Sequence, residues 1–218
     1  MNESASCTSE PCGNTRASDV REGRRLEYFT LGWNLLEAGV AVGAGVAAGS
    51  IALIGFGADS LIECLSGSVL LWRLQSHEAD EHQEKLALKL VGISFLVLAA
   101  YVGFDAIKSL WRQEEPKVSL VGIALSALSL VIMPILARRK RQVAARIQSR
   151  ALCADSRQTD ICAYLSAILL GGLLLNAFLG WWWADPIAAL IMVPIIVREG
   201  AEALRGETCG ECGGPNAT

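Results

Sequence analysis

Histidine is almost missing from this chain of 218 residues: there are two, His77 and His82, and both stand in one hydrophilic connection. That excludes a histidine-based metal centre or proton relay within the apolar segments. Lysine and arginine within the apolar runs are limited to Arg73, Lys89, Lys108 and Arg157 near their ends, so no Lys or Arg is expected to neutralise the acids placed among the apolar residues. Aromatic residues make up 6% and the net charge is -3, with no interleaving of basic and aromatic side chains, which excludes nucleic acid as a partner. Residues 1–28 contain Arg16, Arg21, Arg24 and Arg25 but no apolar core, so no secretory leader is expected and the first apolar segment serves as its own insertion signal. The cysteines number seven, an odd count scattered over Cys7, Cys12, Cys64, Cys153, Cys162, Cys209 and Cys212, and give no disulfide framework.

What is present is apolar residue in blocks, 52% of the chain. Blocks of about 20 residues are the length needed to cross a bilayer as helix. The sequence predicts an all-α polytopic membrane protein with six transmembrane helices, at 29–48, 50–74, 86–110, 118–136, 152–179 and 184–197, the last extended towards 204. A polar arm, 1–28, precedes this domain of 29–204, and a tail, 205–218, follows with one CxxC pair. Gly39, Gly43, Gly45 and Gly49 place small residues four apart and favour close helix contact. Trp181, Trp182 and Trp183 mark a membrane interface, and Asp185-Pro186 is a helix start. If the amino terminus is cytoplasmic, sixteen Lys and Arg lie on that side and three on the other. This bias puts both termini in the cytoplasm of a protein of the plasma (inner) membrane.

Against that background the run GFGADSLIE, residues 55–63, is anomalous, because Asp59 and Glu63 sit in the middle of an apolar span. An ionisable group there is rare and costly. Residues four apart share one helix face, so both acids can grip one cation. In the fifth span, ALCADSRQTDICAYLS offers Asp155, Ser156 and Asp160, and Ser156 and Asp160 repeat the same spacing. Two such helices face to face would supply three carboxylates and a hydroxyl to a divalent ion. Asn34 and Glu37 are the polar exceptions of the first span. Depth is a difficulty: Asp59 lies about 14 Å from the outer end of its span and Asp160 about 31 Å before the tryptophans. The two meet only if the fifth helix starts early, tilts, or projects beyond the surface.

These residues resemble a known family. GSIALIGFGADSLIE is similar to the second-helix signature of the cation diffusion facilitators, a small-Ser-x-Ala-Leu run leading to an Asp-x-x-x-Asp metal pair. ADSRQTD resembles their fifth-helix His-x-x-x-Asp pair, and ADPIAAL the start of their sixth helix. The resemblance covers about 29–204 and implies Asp59 and Glu63 as ligands from the second helix and Asp160 from the fifth. Glu63 stands where the family usually has Asp, and Ser156 where it usually has His. It further implies a homodimer that exports a cytoplasmic divalent metal in exchange for protons, with the ion as substrate and no cofactor or enzymatic role. The family's C-terminal cytoplasmic domain has no counterpart in 205–218. An oxygen-only site favours Mn²⁺, Fe²⁺ or Mg²⁺ over Zn²⁺, unless Asp155, Cys162 or Cys64 completes the shell, so the choice among Zn²⁺, Mn²⁺, Fe²⁺ and Co²⁺ stays open. A carboxylate in low-dielectric surroundings tends to keep its proton until a metal expels it, which suits antiport. The alternative is a membrane metal-binding or thiol-redox protein working through its tail cysteines.

Overall fold

The computed structural model describes residues 12–75 and 81–205. Expectations that fall on Cys7, His77, Cys209 and Cys212, and on the side chains of Cys12 and His82, lie outside the described residues. The described residues form six helices: α1 (Cys12–Ala48), α2 (Ile51–Gln75), α3 (Glu81–Arg112), α4 (Leu120–Ile147), α5 (Arg150–Leu179) and α6 (Ala184–Arg205). Stretches of α1 to α5 are long and apolar enough to cross a membrane. The sixth helix has 22 residues, and its last two turns carry Arg198, Glu199, Glu202 and Arg205. The all-α polytopic reading is therefore the fold found.

Two helices run further than the hydropathy of the chain suggests. The first does not begin at Phe29: α1 is unbroken from Cys12, and Glu27 lies wholly buried within the bundle. The fourth passes through Pro134 and continues along the basic run to Ile147. Only Gln148 and Ser149 then separate it from α5. Gln148 takes the left-handed conformation (φ 53°) and Ser149 caps α5 by accepting the Leu152 amide at 3.3 Å. A polar sequence just outside the bilayer is still good helix, which is why a hydropathy boundary falls short of the helix boundary.

The helices alternate in direction, and α1 with α2, α4 with α5, and α3 with α6 are the closest neighbours. At the tryptophan end, Gly49 (φ 69°) turns α1 into α2 and Ser50 caps α2 by accepting the Leu53 amide at 3.1 Å. Asp185 of α6 reaches the same turn. It accepts the Ser50 hydroxyl at 2.5 Å and the amides of Ile51 and Ala52 at 3.0 and 3.4 Å. An anion on the free amides of a helix start satisfies donors that the helix itself cannot. At the basic end, Arg146 pairs with Asp19 and Glu22, tying α4 to α1.

Gly45 and Gly57 set how near α1 and α2 come. A Cβ at Gly45 would lie 2.9 Å from the Ile54 amide nitrogen, and one at Gly57 would lie 2.9 Å from the Ala41 methyl. Gly39 and Gly43, expected to share that contact, face outward with nothing within 4 Å.

Candidate metal centre

The α1–α2 contact has a regular antiparallel register. Ala41 meets Gly57, the Ser60 hydroxyl donates to Glu37 Oε2 at 2.9 Å, and Asn34 Nδ2 donates to Glu63 Oε2 at 2.8 Å. Steps of three or four residues along each helix keep these partners on facing stripes. The polar exceptions of the first span are thus aimed at the acidic turn of α2, and Asn34 orients Glu63.

On the opposite side of that turn stands α5. Its Cys162 contributes a thiol to a group formed with Asp59 and Glu63, in which one ligand atom from each lies within 4.8 Å of the other two. All three are buried, with relative exposures of 3%, 7% and 0% for Asp59, Glu63 and Cys162. Gln158, four residues before Cys162 and so on the same face, accepts the Ser66 hydroxyl of α2 at 3.0 Å. The α5 pair that confronts α2 is therefore Gln158 and Cys162, two residues later than Ser156 and Asp160.

The remaining sequence candidates sit elsewhere. Asp155 is ion-paired with Lys140 of α4, whose Nζ also lies 3.1 Å from Glu27 Oε1. Asp160 is paired with Arg141. Ser156 is buried, and its hydroxyl is turned back onto the Cys153 carbonyl at 2.6 Å. Residues 160 and 162 are separated by about 200° around a helix, so a Cys162 that faces α2 turns Asp160 away from it. The sequence-based expectation that no Lys or Arg stands against the acids of the spans does not hold for Asp155 and Asp160, because α4 carries its basic residues as helix alongside α5. Cys64 also points away and donates to the Leu31 carbonyl at 3.6 Å.

The depth difficulty disappears with the early start of α5 and the two-residue shift. At Gly122 an added Cβ would touch Leu53 at 2.7 Å and Leu173 at 3.1 Å, so Leu53 of α2 and Leu173 of α5 lie level. From that level Glu63 is about 15 Å and Cys162 about 16 Å along their helices. The last turns of α5, with Phe178 82% exposed, extend beyond the start of α2.

Chemically, the arrangement offers two hard oxygen donors and one soft sulfur donor to a single ion in a buried setting. Such a mixture is suited to borderline and soft divalent metals rather than to Mg²⁺ or Ca²⁺, which take oxygen.

Comparison with known proteins agrees with this architecture. Transmembrane protein 163 of Xenopus laevis is 25% identical over 182 residues, which are 82% of this chain and 65% of that protein. An uncharacterized transporter of Synechocystis is 26% identical over 197 residues, 85% of this chain and 63% of its own length. A cadmium, cobalt and zinc/H(+)-K(+) antiporter of Bacillus velezensis is 27% identical over 166 residues, 69% of this chain and 51% of its own. The matched region thus spans less than two thirds of each of these relatives. The model of the cation efflux transmembrane domain matches residues 29–206, and the chain belongs to the cation efflux family.

Proposed function

We propose that the chain carries a divalent metal cation across the bilayer in exchange for protons, seating it between α2 and α5 on Asp59, Glu63 and Cys162. The observation that supports this reading best is the convergence of two carboxylates and a thiol, all buried, midway along an apolar bundle. Charges are retained at such depth where a transported ion requires them. The thiol favours Zn²⁺, Cd²⁺ or Co²⁺ over Mn²⁺ and Mg²⁺, and a relative's name includes cadmium, cobalt and zinc. Asp155, Ser156 and Asp160 lie towards the basic end, where an ion coming from the cytoplasm would meet them first; their proposed part is entry rather than seating.

Proton exchange follows from the ligands. A thiol and carboxyl groups bind metal only after losing protons, so metal and protons compete for the same atoms. With both termini cytoplasmic, the reading is export. The test is flux in reconstituted vesicles under an imposed pH gradient: the wild type should move Zn²⁺ or Cd²⁺ against the direction of proton flow. Undiminished flux in Asp59→Ala, or flux indifferent to the gradient, would sink the proposal.

A further inference from the structure

We propose that Lys140 is a gate: its ammonium occupies a cation site made by Glu27 of α1 and Asp155 of α5 on the basic side of the seat, and the passing divalent ion takes its place. This rests on the reading of Asp59, Glu63 and Cys162 as the ion's seat, and adds to it a device that decides when the seat can be reached.

Among the described side chains, Lys140 is the one lysine or arginine that is buried. It comes from α4, whereas its partners come from α1 and α5. Nζ lies 3.1 Å from Glu27 Oε1, is ion-paired with Asp155 and reaches the Thr159 hydroxyl oxygen at 3.4 Å. One ammonium thus ties three helices together through oxygen atoms, the donors that a hard metal cation also takes. Replacing such a buried network by apolar residues of similar volume is often neutral or stabilising, so packing alone does not call for it.

Position gives the second line of argument. A Cβ added at Gly67 would lie 3.6 Å from Glu27 Oε2, so this carboxylate covers α2 one turn beyond Glu63. Glu27 is also seven residues before Asn34, which holds Glu63, and two turns of helix bring it back to the same face. On α5, Asp155 stands seven residues before Cys162 and shares its face in the same way. The network therefore lies about 6 Å from Glu63 along α2 and about 10 Å from Cys162 along α5, both towards the basic end. Exposure supplies the third. The Asp155 side chain is 12% exposed, while those of Glu27 and Lys140 are 0%. The boundary between solvent and interior at this end of the bundle runs through the ion pair.

The consequence is a gate that answers to charge. A divalent ion binds these carboxylates only once the ammonium has left them, so its arrival favours the arrangement in which α4 has let go of α1 and α5. Without an ion the ammonium returns, and the seat is closed to water from the basic side.

Reaction of Cys162 with a small membrane-impermeant methanethiosulfonate, followed on that cysteine's own peptide by mass spectrometry, tests this in vesicles holding the full chain. With the reagent on the side of the basic run, Asp155→Asn, which leaves Lys140 paired with Glu27, should react at least about 10-fold faster than the wild type, the effect of losing one hydrogen bond to a charged group. Lys140→Glu should react faster still. Adding Glu27→Lys to it restores one ammonium between two carboxylates and should bring the rate back towards that of the wild type. From the tryptophan side the rate should not rise in any variant. An unchanged rate in Asp155→Asn, or a rise of equal size from both sides, would overturn the gate and leave the network a structural brace; this variant decides the matter if Lys140→Glu does not fold. The seat is tested separately, because Zn²⁺ should protect Cys162 from the reagent in the wild type. Failure of that protection would overturn the seat whatever the rates in the variants.

Discussion

Lys140 of α4 is fully buried and lies between two acids from different helices, 3.1 Å from Glu27 of α1 and ion-paired with Asp155 of α5. An ammonium and the acids that flank it are costly to desolvate, and they remain tolerable only while each has its partner. Lys140→Met leaves two uncompensated acids and should lower stability by about 3–5 kcal/mol, the usual loss when one member of a buried pair is removed. Adding Glu27→Gln and Asp155→Asn to it should restore most of that. Denaturation of the purified protein in detergent measures both. A loss in the single variant below about 1 kcal/mol, the range of a surface pair, would contradict the buried network.

Cys162 is the donor that distinguishes this seat from an all-oxygen one. Cys162→Ser keeps the shape and removes the soft ligand, so the preference should shift from Cd²⁺ and Zn²⁺ towards Mn²⁺. The expected change in the Cd²⁺ to Mn²⁺ affinity ratio is about 10–100-fold. Competition binding with both metals in one titration reads this directly. An unchanged ratio would remove Cys162 from the shell.

The sign of the pH response follows from the same ligands. Each proton that the metal must displace weakens apparent binding as pH falls, by up to about tenfold per pH unit per proton, which is 1.36 kcal/mol. Metal affinity of the wild type should therefore rise from pH 5.5 to pH 7.5, and Asp59→Asn, with one fewer displaceable proton, should show a shallower slope. Isothermal titration in buffers of different ionisation enthalpy counts the protons released. Equal slopes in the two proteins would mean that Asp59 does not exchange a proton for the ion.

How far the sequence could disclose this site is clear from α2 and α5. Asp59 and Glu63 were legible because a charge in an apolar run stands out and the i, i+4 spacing fixes a common face. The same rule misled in α5. Asp155 and Asp160 drew attention as charges, yet their partners Lys140 and Arg141 lie in a basic run that reads as a loop and folds as an extension of α4. Gln158 and Cys162 have the same spacing without charge, and their orientation depends on helix rotation, which only packing decides. Six helices and their alternation were legible from block lengths. The start of α1 at Cys12 was not, since 12–28 is polar and its burial at Glu27 depends on a lysine more than a hundred residues away.

Asp185 shows that a buried acid in this bundle need not belong to the ion. Its two oxygens receive the Ser50 hydroxyl and the amides of Ile51 and Ala52, so it is saturated by the start of α2, whereas Asp59 and Glu63 have oxygens directed towards Cys162. The two kinds of acid should separate experimentally. Asp185→Ala strands the helix-start donors at a buried site and should cost about 1–3 kcal/mol of stability. Asp185→Asn retains an acceptor and loses only the attraction of a full charge to the helix start, about 0.3–1 kcal/mol. Because Asp185 contacts the first residues of α2, about 12 Å along the helix from Asp59, metal affinity of the folded protein should change less than about threefold in either variant. Asp59→Asn should do the reverse, lowering affinity with little loss of stability, because it removes a metal ligand while keeping the size and polarity of the side chain. Thermal denaturation and metal titration on the same three variants decide the assignment. If Asp185→Asn abolished binding while leaving the melting temperature intact, Asp185 would belong to the ion's path.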